Sequence, residues 1–291
     1  MSSISASVTI ATVAKQQLTI RLLAEIQQGL HAYLPAEWRH CFVIGAFANQ
    51  LWFDRHQRAD HRVTRDIDIV VGVPAYGAYR TLRDRLAEEW DRVTATPRWH
   101  VLRLDDKIDV DLLPFEDYLA RREGQEYEEV WSGPQELVGF REVAQNGTTV
   151  YSVNGVEVRS ATVPAIIGLK LIAFDDRPEV RIKDARDIGQ LIRHYPDFED
   201  ENIWENHHDL FEEGVEMDQA GQIALGREVR AVFDSDAQLT ERLAQIVERL
   251  ISGRHTGIGE IAAGLGADKS EVNDVLNRFL QGFRQNPNVS R

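Results

Sequence analysis

The sequence has 291 residues with 43% hydrophobic content, and its 33 Lys and Arg against 47 Asp and Glu give a net charge of −14. That balance disfavours a generic grip on nucleic acid, which Lys and Arg supply through phosphate contacts, but leaves room for a local basic site. A single cysteine, Cys41, excludes an internal disulfide. With no leader-like N-terminus and no run of roughly 20 apolar residues, the expectation is a soluble cytoplasmic protein without a membrane partner.

Residues 14–32 carry Leu18, Leu22, Leu23 and Ile26 at helical spacing. "CFVIG" (Cys41 to Gly45) reads as a short buried strand ending at a glycine, and "AFANQLWF" as the helix after it. "RVTRDIDIVVGV" (Arg62 to Val73) reads as a buried strand that stops before Pro74. An amphipathic helix follows from about Tyr76 to Trp90, with opposite charges at neighbouring turns. "WHVLRLDDKIDVDLLPF" (Trp99 to Phe115) looks like two strands joined at Asp105-Asp106, the second ended by Pro114. "YSVNGVEVRS" has Asn154-Gly155 between alternating apolar residues, a strong hairpin signal.

Beyond residue 160 the pattern is helical. Thr162 is the expected cap of a helix with Pro164 in its first turn, ended by Pro178. "RIKDARDIGQLIRHY" forms the next helix. Ten acids and no Lys or Arg lie from Asp197 to Asp218, either a solvated face or a docking surface for a basic partner. His207 and His208 read as surface residues. Near the C-terminus, Asp268 and Glu271 have capping-box spacing, and Val272, Val275, Leu276, Phe279 and Phe283 form one apolar stripe. A short turn before that helix suggests a helix–turn–helix, but Glu271 and Asp274 suit a packing or dimerising hairpin better than DNA. The fold class is α+β, with a first domain over residues 1–160 and a helical domain over 161–291.

Two acids inside an Ile- and Val-rich strand need a reason. Asp66 and Asp68 are two apart and share a face, opposite Ile67, Ile69 and Val71. Carboxylates held so close repel each other unless a cation lies between them. "KIDVDLL" offers Asp109 and Asp111, again on one face of a strand. Three carboxylates from two adjacent strands can hold a pair of Mg²⁺ ions about 4 Å apart, one for a triphosphate and one for the attacking hydroxyl. The plain alternative is a polar face on an edge strand. Gly45, where a strand breaks into a helix, would let a phosphate approach the backbone N–H groups.

The ordered motifs "VIGAFA", "RVTRDID", "DLLPF" and "LKLIAFDDRPEVRIKDARDIGQLI" resemble the polymerase-β-type nucleotidyltransferases of the AbiEii toxin family, over roughly residues 40–195. The resemblance implies a polymerase-β-like domain, the helical part completing the nucleotide site, and transfer of a nucleoside monophosphate from an NTP with release of pyrophosphate. Gly45 would be the phosphate-loop glycine; Asp66, Asp68 and Asp111 the metal-binding acids, Asp111 because it immediately precedes "LLPF". Lys170 and Lys183 would contact the triphosphate with Asp184 and Asp187 orienting them, and Arg177 could add a positive group. Arg62 and Thr64 would sit beside the nucleotide. Ala46 departs from the Gly or Ser often found there, so a hydroxyl contact is lost while the backbone donors remain. The implied cofactor is Mg²⁺, as two ions, with Mn²⁺ the alternative. The implied acceptor is RNA, with a tRNA 3′ end as the leading choice, the outcome is toxic growth inhibition, and a cognate antitoxin would be encoded nearby.

Asp109 reads as a neighbour of the site or a solvent-facing residue rather than a ligand. Arg55, Arg58, His61 and Arg65 fit either a basic rim for the acceptor or a solvated loop. Trp52 and Phe53 suit helix packing better than base stacking. Two other readings stay open: transfer to a small-molecule hydroxyl, and a catalytically inactive interaction protein on the same fold.

Overall fold

A computed structural model describes residues 23–24, 26–27, 41–58, 66–73, 76–115, 138–153, 156–212 and 214–285. In chain order these contain β1 (Cys41–Ile44), α1 (Gly45–Arg55), β2 (Ile67–Gly72), α2 (Tyr76–Glu89), β3 (Val93–Ala95), β4 (Val101–Leu104), β5 (Ile108–Phe115), α3 (Phe140–Asn146), β6 (Thr148–Val153) and β7 (Val156–Ala161). Helices alone follow: α4 (Val163–Asp176), α5 (Ile182–Phe198), α6 (Asp200–Asn206), α7 (Asp209–Glu212), α8 (Met217–Phe233), α9 (Ala237–Ile251), α10 (Ile258–Leu265) and α11 (Lys269–Arg284). The chain divides into two units, the first containing the strands and α2, the second containing α1 and α3 to α11. The architecture is α+β.

The first unit is built on a mixed seven-stranded sheet in the order β3-β4-β5-β2-β1-β7-β6. β1 runs antiparallel to β2 and parallel to β7, while β2 and β5 are parallel. β4 and β5 form the antiparallel pair expected around Asp105-Asp106, whose φ values of 49° and 56° give the left-handed turn that matches strand twist. Arg92 forks onto the Asp105 carboxylate at 2.8 and 2.6 Å and holds it well below the usual aspartate range. β6 and β7 are neighbours as the hairpin reading requires, though Asn154 and Gly155 themselves lie outside the described residues.

Pro114 does not end its strand. β5 continues through it, with Val71 opposite Pro114 and Gly72 opposite Phe115. The Leu112 amide donates to His100 O on the β4 side, so the Pro114 nitrogen, two residues on, faces that side as well. β4 pairs only as far as Asp111, so no ladder bond is lost there.

Of the first predicted helix, residues 23, 24, 26 and 27 are described and helical, with Leu23 and Ile26 buried. Gln27 fastens it to β7: its side chain donates to Arg159 O at 3.0 Å and accepts from Arg159 N at 3.1 Å. Cys41 is buried in β1, and burial pushes its thiol far above the usual range.

In the second unit Thr162 caps α4 by accepting from Ala165 N, with Pro164 in the first turn. Trp52 and Phe53 are both buried: the Trp52 indole donates to Ala161 O at 3.0 Å, and Phe53 meets Phe198 and His194 edge-on. The capping box at Asp268 and Glu271 has both hydrogen bonds. Its helix, α11, is a packing helix: Val272, Leu276, Phe279 and Phe283 are buried. α8 and α11 cross at Gly226 and Gly282, where a Cβ on either glycine would overlap the other helix's backbone. α5 and α10 meet in the same way at Gly189 and Gly264. His207 is buried at 6% exposure, not a surface residue, because its Nε2 lies 3.0 Å from Glu228 on α8. No helix among the described residues is long and apolar enough to cross a membrane.

Candidate active site

In the first unit the register of β2 and β5 sets the acids. Asp68 lies directly opposite Asp111, and Ile67 opposite Val110. Paired residues on neighbouring strands share a face with backbones about 4.8 Å apart, so Asp68 and Asp111 are side by side, with Asp66 two residues before. Asp66 is exposed just ahead of the strand, while Asp68 and Asp111 are half-buried. Burial raises the Asp111 carboxyl above its usual range. His100 and Arg98 pull it down, and Asp66 and Asp109 push it up. Asp66 therefore stands close enough to Asp111 to act on its charge.

Asp109 is committed elsewhere. Arg98 donates to it at 2.7 Å and Arg103 forms a second ion pair across the β4–β5 ladder. His100 escaped the sequence reading: it precedes the residue paired with Asp111, and burial lowers its imidazole while Asp111 pulls it back up. No motif marked it, because its proximity to Asp111 exists only once β4 has paired with β5.

Asp68 and Asp111 stand side by side with Asp66 near enough to act on the Asp111 charge, and carboxylate oxygens are donors of the hard kind that a divalent ion takes. Among the described residues no group of three or more His, Cys, Asp or Glu is placed so that it could hold a metal ion.

Gly45 opens α1 directly after Ile44, the residue opposite Asp68, and has φ 69°. That left-handed conformation is one a side chain would strain, and it explains the glycine. Ala46 follows, half-buried, in the first turn. Arg62, Thr64, His61 and Arg65 lie outside the described residues. Arg58 pairs with Asp197, and Arg55 lies 5.7 Å over the Trp52 ring.

The second unit brings together Lys170, Asp184 and Asp187. Lys170 on α4 is 5% exposed, and its Nζ donates to Asp184 Oδ1 at 2.6 Å and to Asp187 Oδ2 at 2.7 Å. Burial pulls the amine down, but the charges and hydrogen bonds of the two acids more than reverse this, leaving it above the usual lysine range. The acids hold Lys170 rather than Lys183, which is exposed on α5. Arg177 is half-buried at the end of α4, where Asp175 and Asp176 are tied by Arg242 and Arg249 of α9.

Among solved structures, the solution structure of the antibiotic-resistance factor ANT(2'')-Ia is similar to this chain at 17% identity and a TM-score of 0.32, covering 60% of this chain and 83% of that one. No curated protein matches the sequence. The family described as "Nucleotidyl transferase AbiEii toxin, Type IV TA system" matches residues 35–277. This span contains both acid-bearing strands, the glycine turn and the buried lysine, and the chain belongs to the AbiEii family of nucleotidyl transferase toxins.

Proposed function

We propose that this chain moves a nucleoside monophosphate from an NTP to a hydroxyl of an RNA acceptor, with a tRNA 3′ end as the leading choice. The acceptor oxygen bonds to the α-phosphorus, the α–β phosphoanhydride bond breaks, pyrophosphate leaves and the hydroxyl proton passes to water. The observation that carries the reading is the parallel register that sets Asp68 beside Asp111, with Asp66 two residues earlier.

Asp66, Asp68 and Asp111 would hold Mg²⁺, as two ions or with Mn²⁺ in their place. Such ions would lower the pKa of the attacking hydroxyl and neutralise phosphate charge. The Gly45 and Ala46 backbone offers helix N-terminal N–H groups to a phosphate. Lys170 is fixed by Asp184 and Asp187 through two of its three protons, and in this reading the third would go to a phosphate oxygen. Lys183 and Arg177 would add positive charge, and Arg62 and Thr64 would flank the nucleotide. The protein would act in the cytoplasm, restrained by a cognate antitoxin.

Incubation with each α-labelled NTP, Mg²⁺ and total RNA tests this directly. Label on RNA, lost in Asp66→Ala, supports the proposal. Label on a small molecule shifts the acceptor class. No transfer with any NTP, and equal harmlessness of wild type and Asp66→Ala on expression, would reduce the chain to an inactive interaction protein on this fold.

A further inference from the structure

Nucleotidyl transfer gives no use to the acid-rich segment between α5 and α8. There α6 and α7 are firmly seated. Ile203 and Leu210 are buried, His207 reaches Glu228, and Arg227 of α8 forks onto Asp209 at 2.8 and 2.7 Å. On the outward side Trp204, 56% exposed, stacks on Phe211 with ring centroids 4.0 Å apart and planes 18° from parallel. Trp204 thus offers most of an indole to solvent with its ring orientation set by the half-buried Phe211, an arrangement able to receive a stacking partner.

The acids near this stack differ in whether they are paired. Asp197 and Asp209 have arginine partners, Arg58 and Arg227. Glu201, one helical turn before Trp204, and Glu205 and Glu212, the residues that follow Trp204 and Phe211 in sequence, are exposed and form no ion pair among the described residues. An indole face attracts cations through its quadrupole, and flanking carboxylates add to that attraction. We propose that the Trp204–Phe211 face is a docking surface for an arginine-rich protein segment, with a guanidinium stacked on the indole and flanked by Glu201, Glu205 and Glu212. Arginine suits the site better than lysine because its plane stacks on a ring while its edge bonds carboxylates. Nucleic acid and anionic lipid are repelled by the same charges. The inference is independent of the transferase reading.

Fluorescence anisotropy of labelled nona-arginine and nona-lysine peptides on the full chain at low salt tests it. Trp204→Ala should weaken nona-arginine binding about fivefold and shrink the preference for arginine over lysine. The triple variant Glu201→Gln, Glu205→Gln, Glu212→Gln should weaken it about tenfold. A control triple, Glu88→Gln, Glu241→Gln, Asp274→Asn, removes the same charge elsewhere and should change binding less than twofold, on the order of a surface-charge effect. The substituted acids are exposed, so both triples should melt like wild type, while Trp204→Ala gives up its stack on Phe211 and circular dichroism should show that it remains folded at the assay temperature. If Trp204→Ala binds like wild type, or the control triple weakens binding as much as the local triple, the surface merely reports net charge and the proposal is overturned.

Discussion

Replacing Lys170 with methionine keeps the aliphatic stem and removes the charge. The amine sits 2.6 Å from Asp184 and 2.7 Å from Asp187 at 5% exposure, and Asp187 is itself 3% exposed. The net worth of the two charge-assisted bonds is about 1.5–3 kcal/mol each. What the substitution exposes is the cost of taking the lysine charge away from the buried Asp187 and the half-buried Asp184, about 3–5 kcal/mol. That is a large share of the roughly 5–15 kcal/mol that stabilises a folded protein.

Urea unfolding followed by circular dichroism reads the loss, and its pH dependence identifies the cause. In wild type the lysine pKa is raised on folding, so its contribution is complete below the unfolded lysine value and is lost only as alkaline pH passes the folded one. Between pH 5 and 8 it is constant. In Lys170→Met the two carboxylates lose the lysine charge and proton uptake relieves that loss, so the variant should regain stability as pH falls from 8 to 5 and the gap to wild type should narrow. A loss below about 1 kcal/mol, or the same gap at both pH values, would refute the reasoning.

The α8–α11 crossing gives a steric test: Gly226→Ala should cost about 1–3 kcal/mol because its Cβ would overlap Phe279 O. Gly77→Ala, with nothing within 4 Å of the new atom, should gain about 0.5 kcal/mol, and thermal melting of the pair compares them. Asp111→Asn should raise the melting temperature at pH 7 while abolishing transfer. Its folded pKa is raised, so the charged carboxylate costs stability above that value, and the gain should vanish by about pH 3. Absence of any gain at pH 7 would mean that His100 and Arg98 already offset the charge.

Local chemistry was legible where one short segment decides it. The Thr162 cap, the Asp268–Glu271 box and the joining of two strands at Asp105-Asp106 all follow from residues within a few positions. Pairings between distant segments were not. Pro114 looked like a stop because only the sheet shows that β4 has ended before its nitrogen needs a partner. β3 carries one buried valine in three residues and gives almost no periodic signal, and α3 is too short to show one clearly.

The same limit governs the site. Asp187 is four residues from Lys183, which suggested that pair, yet it turns inward to Lys170, seventeen positions away. His207 is buried through Glu228, twenty-one positions on, and His100 reaches Asp111 only across a strand. The family motifs singled out candidate residues, while the folded chain assigned their immediate partners.

The account stands on Asp68 and Asp111 acting as one unit across β2 and β5. Single-turnover transfer of α-labelled nucleotide should be compared in wild type, Asp68→Asn, Asp111→Asn and the double variant, with melting used to confirm folding. The account expects each single change to slow transfer on the order of a thousandfold or more, and the double to be scarcely slower than either. Transfer at near-wild-type rate in either folded single variant, or losses that simply multiply in the double, would contradict it.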